Sequence, residues 1–190
     1  RQLDPERLTL YDLRLESLFT LLRVRNAAEA KALVVTVETQ LKAVDLLVAE
    51  ERKLEDAYIE GEVAVSLRNA DLDAGVTDFR GVLLKKTRGK TDAPLFQRFF
   101  AGRTASDVIR MSLRPELDLV SPWVASLKAE TDPELKDQGT ALEKLVTAGR
   151  AAISQYDAAA QALRDFRSGS RRKLFGDANT TRQTVYAELT

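Results

Sequence analysis

A long stretch of the chain, residues 27–86, contains no proline and no cluster of turn-forming residues. Apolar side chains recur along it at helical positions, namely Val37, Leu41, Val44, Val48, Leu54, Tyr58, Val65, Leu72, Val76, Phe79 and Leu83. A single helix of this length is unusual in a globular protein. Gly61 and residues 69–71 are the candidate break points, so the pattern favours two helices, about 27–60 and 62–87, stacked in line or folded back at Gly61.

The segment before this stretch predicts one further helix. Asp4 followed by Pro5 is a typical helix start, with the Asp as cap and the Pro in the first helical position. Apolar residues at spacings of three and four then form one helical face, made of Leu8, Tyr11, Leu15, Leu18 and Leu22. Asn26 is a candidate both to end this helix and to cap the next one.

Residues 88–127 differ in character, since they hold three prolines, two glycines and an aromatic cluster. The cluster contains Phe96, Phe99 and Phe100, and Trp123 follows it. We expect short helices here, including 107–114 capped by Thr104 and another at 117–127. The aromatic cluster is interpreted as part of the core, and an apolar ligand pocket is the alternative.

The second half of the chain predicts a long amphipathic helix. Residues 131–134, with the sequence TDPE, are a strong helix start. The apolar face then continues to Phe166, and the SGS sequence at 168–170 is predicted to end the helix. A weaker apolar face follows in the C-terminal tail.

No segment alternates between apolar and polar residues, so the predicted fold is all-α. We expect an up-and-down bundle of three to four long helices, with short capping helices at one end and a C-terminal docking helix. The predicted domains are a bundle at 1–167, with its short-helix aromatic cap at about 88–127, and a hinge plus amphipathic helix at 168–190.

The composition excludes several classes of site. The chain has no cysteine and no histidine, which removes disulfides, thiolate chemistry and the usual general base. Lys plus Arg and Asp plus Glu both number 29, so no net charge favours nucleic acid or an anionic membrane. No apolar run is long enough to span a bilayer. A cytoplasmic protein is the default expectation, although removal of an upstream targeting segment stays open.

The sequence TRGKT at 87–91 ends like a nucleotide-binding loop, but its context does not fit. Such a loop needs a glycine where this chain has Leu84, and it must follow a strand. The interpretation is instead a helix C-terminus, with Gly89 in the left-handed cap and Lys85 and Lys86 opposite the negative end of the helix dipole.

An acidic run raises the possibility of a magnesium site, because helical carboxylates can hold divalent cations. All-helical nucleotide pyrophosphatases use Glu-Glu-x-x-Glu for this purpose, whereas here Leu54 occupies the third position. A magnesium-dependent hydrolase centred on Glu51, Glu55 and Asp71 is therefore an alternative function. The favoured interpretation of the run is a solvated helix face.

A basic cluster near the end of the long C-terminal helix offers candidate phosphate contacts: Arg167, Arg171, Arg172 and Lys173. The segment lacks the interleaved aromatic residues that a base-stacking surface needs. Nucleic acid is therefore not expected as a partner, and the favoured interpretation is a charged helix end.

The tail supplies the candidate interaction face, formed by Phe175, Ala178, Arg182, Val185 and Leu189. This face can pack on its own bundle, which is favoured, or on a neighbouring copy. The predicted function is a non-enzymatic structural, scaffold or assembly subunit that acts through helix-mediated contacts with other proteins, foremost other copies of itself. The alternatives are the magnesium-dependent hydrolase and an apolar small-ligand binder. Neither a cofactor nor a membrane is expected.

Overall fold

A computed structural model describes residues 2–189, except for the side chain of Leu189, and every regular element among them is helical. The predicted all-α bundle is confirmed. Seven α-helices follow one another within the described residues: α1 Leu10–Asn26, α2 Val34–Lys86, α3 Pro94–Phe100, α4 Ala105–Val108, α5 Leu113–Lys128, α6 Pro133–Phe166 and α7 Arg172–Leu189.

The chain divides into two compact units, and α2 and α6 contribute residues to both. The first unit comprises the chain up to Tyr58 and from Ala159 onward, and the second is Ile59–Ala158. Helices α1 and α7 belong to the first unit, and α3, α4 and α5 belong to the second. This division differs from the predicted boundary at residue 167, and that boundary stays a prediction.

Helix α2 corrects the prediction of two helices, because it is continuous from Val34 to Lys86. It also begins later than residue 27, since a short 3-10 helix at Lys31–Leu33 precedes it. Gly61 is a buried helical residue rather than a break. A Cβ atom at this position would lie 3.0 Å from the Cα atom of Tyr156 on α6. The glycine therefore permits close approach of two helices, and this tertiary packing offsets its weak helix propensity.

Two glycines on α2 provide a matched test of this packing. We expect Gly61→Ala to lower the free energy of unfolding by about 1–3 kcal/mol, because the new methyl group meets the backbone of α6. We expect Gly81→Ala to raise it by about 0.4–1 kcal/mol, because its Cβ atom would meet open space. Urea denaturation of both variants checks the pair. Stabilisation by both substitutions would contradict the close contact.

Helix α1 begins at Leu10 rather than at Asp4–Pro5, and its cap is Thr9. The hydroxyl of Thr9 accepts a hydrogen bond from the Asp12 amide at 3.1 Å, and the Asp12 carboxylate accepts one from the Thr9 amide at 2.8 Å. This reciprocal pair satisfies two backbone donors, which explains why the helix starts there. Asp4 instead closes a turn, in which its backbone carbonyl accepts the Leu8 amide.

The apolar face of α1 that the sequence predicted is not the face that packs in the core. The core side carries Leu10, Leu13, Ser17, Leu21 and Val24. The predicted face lies on the opposite side and is largely exposed. Both sides of α1 are therefore apolar, so hydrophobic periodicity alone could not decide which one is buried.

The end of α2 confirms the interpretation of TRGKT as a helix C-terminus. The helix ends at Lys86, and Gly89 takes the left-handed conformation with φ of 80°. The Gly89 amide donates to the carbonyl of Leu84 at 2.8 Å. No strand precedes the motif within the described residues, so the context of a nucleotide-binding loop is absent there.

The short helices that follow carry the core of the second unit. Thr104 caps α4 as predicted, but α4 ends at Val108, and α5 begins at Leu113 rather than at residue 117. The aromatic side chains are buried, which confirms their assignment to the core. The Phe79 ring meets Phe99 edge-to-face at 5.0 Å between centroids, and it lies 5.8 Å from Trp123.

Helix α6 begins at Pro133, as predicted. The Asp132 carboxylate accepts hydrogen bonds from the amides of Glu134 and Leu135, and its other oxygen lies 2.6 Å from Lys86 Nζ. The predicted end at SGS is wrong, because a π-helical turn at Arg167–Arg171 leads directly into α7. The C-terminal docking helix itself is confirmed.

Candidate contact surface and buried carboxyl pair

The tail face packs inside its own unit. Phe175, Ala178 and Val185 are buried, and they contact core residues of α1 and α2. Leu189 belongs to α7, but its side chain lies outside the described residues. This packing matches the favoured alternative for the tail, and it leaves these three side chains unexposed.

Two polar contacts fix α7 against the N-terminal part of the chain. The Arg182 guanidinium lies 3.6 Å from the Glu16 carboxylate on α1. The side-chain oxygen of Asn179 accepts a hydrogen bond from the Leu3 amide at 2.8 Å, and its side-chain nitrogen donates one to the Leu3 carbonyl at 2.9 Å. The side-chain amide of Asn179 thus pairs with the backbone of Leu3 as a neighbouring peptide group would. The periodicity of the sequence does not indicate this contact.

The candidate phosphate contacts and the candidate magnesium ligands meet each other in the first unit. Arg167 contacts Glu51 at 3.3 Å and Glu55 at 2.5 Å. Arg171 also lies 3.5 Å from Glu51, and it donates to the backbone carbonyls of Pro5 and Leu8. The charges of both clusters are therefore largely paired within the chain, which favours a structural role for them.

The remaining residues of the two clusters, Arg172, Lys173 and Asp71, do not come together in one binding site. Lys173 pairs with Asp177 one helical turn away, and Arg172 is exposed. Asp71 pairs with Arg68, and it lies twenty residues beyond Glu51 on α2. Within residues 2–189, no group of three or more acidic side chains is arranged to hold a metal ion.

One exposed apolar surface among the described residues lies on α1. Tyr11, Leu15, Phe19 and Leu22 are between 45% and 61% exposed, and we call these four residues the outer stripe. Beside it, Phe19 and Arg23 of α1 and Tyr186 of α7 line a groove of about 280 Å³. A contiguous apolar face of this kind on a helix is typical of a protein contact surface.

Charged residues flank the outer stripe unevenly. One flank carries Asp12 and Glu16 toward the helix N-terminus and Arg23 toward the C-terminus. On the other flank, Arg14 and Arg25 pair with carboxylates of α2, at 2.5 Å and 2.6 Å respectively. The first flank therefore changes sign along the helix, and its Glu16 also lies 3.6 Å from Arg182 of α7. The positive charges of the second flank are neutralised by α2.

A buried carboxyl pair lies in the second unit, between α2 and α5. Glu116 on α5 is 0% exposed. Burial, together with the nearby Asp73 carboxylate on α2, raises the pKa of Glu116 to about 8. Burial also raises the pKa of Asp73, against the opposing effect of hydrogen bonds from Glu116 and Asn69. Burial and the proximity of a second carboxyl group both disfavour ionisation of the whole pair.

No protein-family model matches the chain, and it matches neither a curated protein nor a solved structure. The function must therefore be inferred from the surfaces and clusters of the chain itself. None of the described helices combines the length and the apolarity that crossing a membrane requires.

One feature of the sequence indicates the buried pair, namely the position of Glu116 on the apolar face of α5. Leu113, Leu117 and Val120 form the buried face of α5, and Glu116 falls on the same face. A carboxylate on an apolar helical face is uncommon without a partner. The partner, Asp73, lies on another helix and could not be identified from local sequence.

Proposed function

We propose that this chain is a non-enzymatic assembly subunit that associates with a second copy of itself through the outer stripe of α1. The observation that carries the proposal is the exposure of Tyr11, Leu15, Phe19 and Leu22 on one face of a helix whose opposite face is already packed. Spacings of three and four match the seam along which two helices pack. The contact face thus differs from the tail face that the sequence suggested.

The charge distribution favours a second copy as the occupant. In a two-fold symmetric contact, the same surface faces itself. If two α1 helices pair antiparallel with the axis near Phe19, Arg23 of one copy lies beside Asp12 and Glu16 of the other. Each copy then supplies both halves of the charge pairing, and the apolar side chains of the two stripes cover each other.

The alternative functions have less support. The hydrolase hypothesis depends on Glu51 and Glu55, which contact arginines, and on Asp71, which is paired elsewhere. The ligand-binding hypothesis depends on space at the aromatic cluster, where Phe96, Phe100 and Trp123 contact one another. In both arrangements, the described residues on which the alternative depends already contact other side chains of the chain.

We expect Leu15→Glu to weaken self-association at least a hundredfold, because it places an unpaired charge in the apolar contact. Leu67→Glu is the matched control, since Leu67 is 58% exposed on α2 and lies outside the outer stripe. Sedimentation over a dilution series gives the two dissociation constants. Equal association by the two variants would show that the outer stripe is not the contact.

Charge reversal tests the antiparallel arrangement. We expect Arg23→Glu and Glu16→Arg each to dissociate alone, because each places like charges opposite each other at both ends of the symmetric contact. An equimolar mixture should re-form a pair, since positions 16 and 23 then carry opposite signs at both ends of the contact. Mass measurement of the mixture decides this, with thermal melting to verify that each variant is folded. A mixture that stays monomeric would contradict the arrangement.

A further inference from the structure

Among the described residues, four buried side-chain oxygens of the second unit have no hydrogen-bond partner as long as both carboxyl groups are ionised. They are both carboxylate oxygens of Glu116, Oδ1 of Asp73 and Oδ1 of Asn69. The Asn69 amide donates to the other Asp73 oxygen at 3.2 Å. A buried acceptor without a donor is costly, so this cluster requires hydrogen atoms beyond those of ionised carboxylates.

In the described part of the chain, no Lys or Arg contributes to the perturbed ionisation of Glu116 or Asp73. From α2, Asp73 is the charged group that perturbs the ionisation of Glu116, and Asn69 acts on Asp73. Around the cluster, α6 packs on its neighbours with Leu145 against Gly75 of α2 and with Gly149 against Leu117 of α5. These contacts are apolar and provide no hydrogen-bond donor. A proton bound between the two carboxyl groups is the simplest donor for their facing oxygens.

We infer that Asp73 and Glu116 share one proton that holds α2 to α5, and that loss of this proton in mildly alkaline solution loosens the contact. In the protonated state, the O–H group of Glu116 donates a charge-assisted hydrogen bond to the Asp73 carboxylate. When hydroxide removes the proton, two negative charges face each other among apolar side chains. The pair then repels where it previously attracted.

The direction of the pKa shift agrees with this geometry. The pKa of Glu116 is raised to about 8, so the pair holds its proton at neutral pH and releases it above. This behaviour is independent of the proposed self-association, which concerns α1 in the other unit.

Titration of the native chain tests the shared proton directly. With ¹³C-labelled glutamate, we expect the Glu116 carboxyl resonance, assigned by its absence in Glu116→Gln, to titrate with a midpoint near 8. The pKa refers to the coupled pair rather than to one residue alone. A midpoint near the ordinary glutamate value of 4.5 would overturn the inference.

Fluorescence tests the loosening of α5, because the chain has a single tryptophan, Trp123, and it lies buried on this helix. We expect its emission to shift toward longer wavelength between pH 7 and 9. The shift should vanish in Glu116→Gln, whose amide replaces the proton donor, and persist in Asp118→Asn, an exposed control on α5. Persistence of the shift in Glu116→Gln would refute the role of the shared proton in holding α2 to α5, as would absence of the shift from the native chain.

Discussion

Phe79→Ala is expected to lower the free energy of unfolding by about 3–5 kcal/mol. The Phe79 side chain is fully buried, and its ring contacts those of Phe99, Phe100 and Trp123. Truncation to Ala removes both the buried apolar area and the aromatic contacts of this ring, and the surrounding helices cannot fully close the resulting cavity.

Urea denaturation measures this effect, with Leu67→Ala as the control on the same helix. Leu67 is exposed, so its truncation should change stability by no more than about 0.5 kcal/mol. If Phe79→Ala costs less than about 1 kcal/mol, the aromatic cluster is not the core of the second unit and its packing is different.

The stability of the second unit should fall as the pH rises from about 4.5 to about 8. The folded state raises the pKa of Glu116 from 4.5 to about 8. Between these values the folded chain binds a proton that the unfolded chain has lost, so the stabilisation is complete below 4.5 and is lost as the pH rises through 8. A shift of this size corresponds to about 5 kcal/mol, at roughly 1.4 kcal/mol for each pKa unit.

Urea denaturation at a series of pH values from 5 to 9 checks this slope, and Glu116→Gln should flatten it. The carboxylates of Asp132 and Glu134 act in the opposite direction but at lower pH. Their pKa values are lowered, chiefly by hydrogen bonds from Lys86, so their contribution is lost only on acidification. Stability that is constant or rises between pH 5 and 8 would contradict the buried pair.

The helix ends that the sequence predicted correctly are those with local chemical causes. Asp132 followed by Pro133 marks the start of α6, and Gly89 marks the end of α2, because caps and left-handed turns depend on residues close in sequence. The start of α1 was missed for a related reason. Asp4 and Thr9 are both candidate caps. The reciprocal hydrogen bonds between Thr9 and Asp12 place the start of the helix after Thr9 rather than at Asp4–Pro5.

The features that could not be predicted depend on partners distant in sequence. Gly61 continues α2 because the backbone near Tyr156 packs against it. The charges of Arg167 are paired because Glu51 and Glu55 lie beside it, more than a hundred residues earlier in the chain. Local patterns made Gly61 a candidate break and the charged residues exposed helix faces or, as the alternative, binding clusters. Only the tertiary structure shows them to be packing and ion-pair partners.

The central proposal, self-association through the outer stripe, is tested most directly by the mass of the native chain in solution. The monomer has a mass of 21.1 kDa. Sedimentation equilibrium at neutral pH should give twice this value at high protein concentration and approach the monomer mass on dilution. A mass of 21.1 kDa at every concentration, up to the millimolar range, would contradict the proposal.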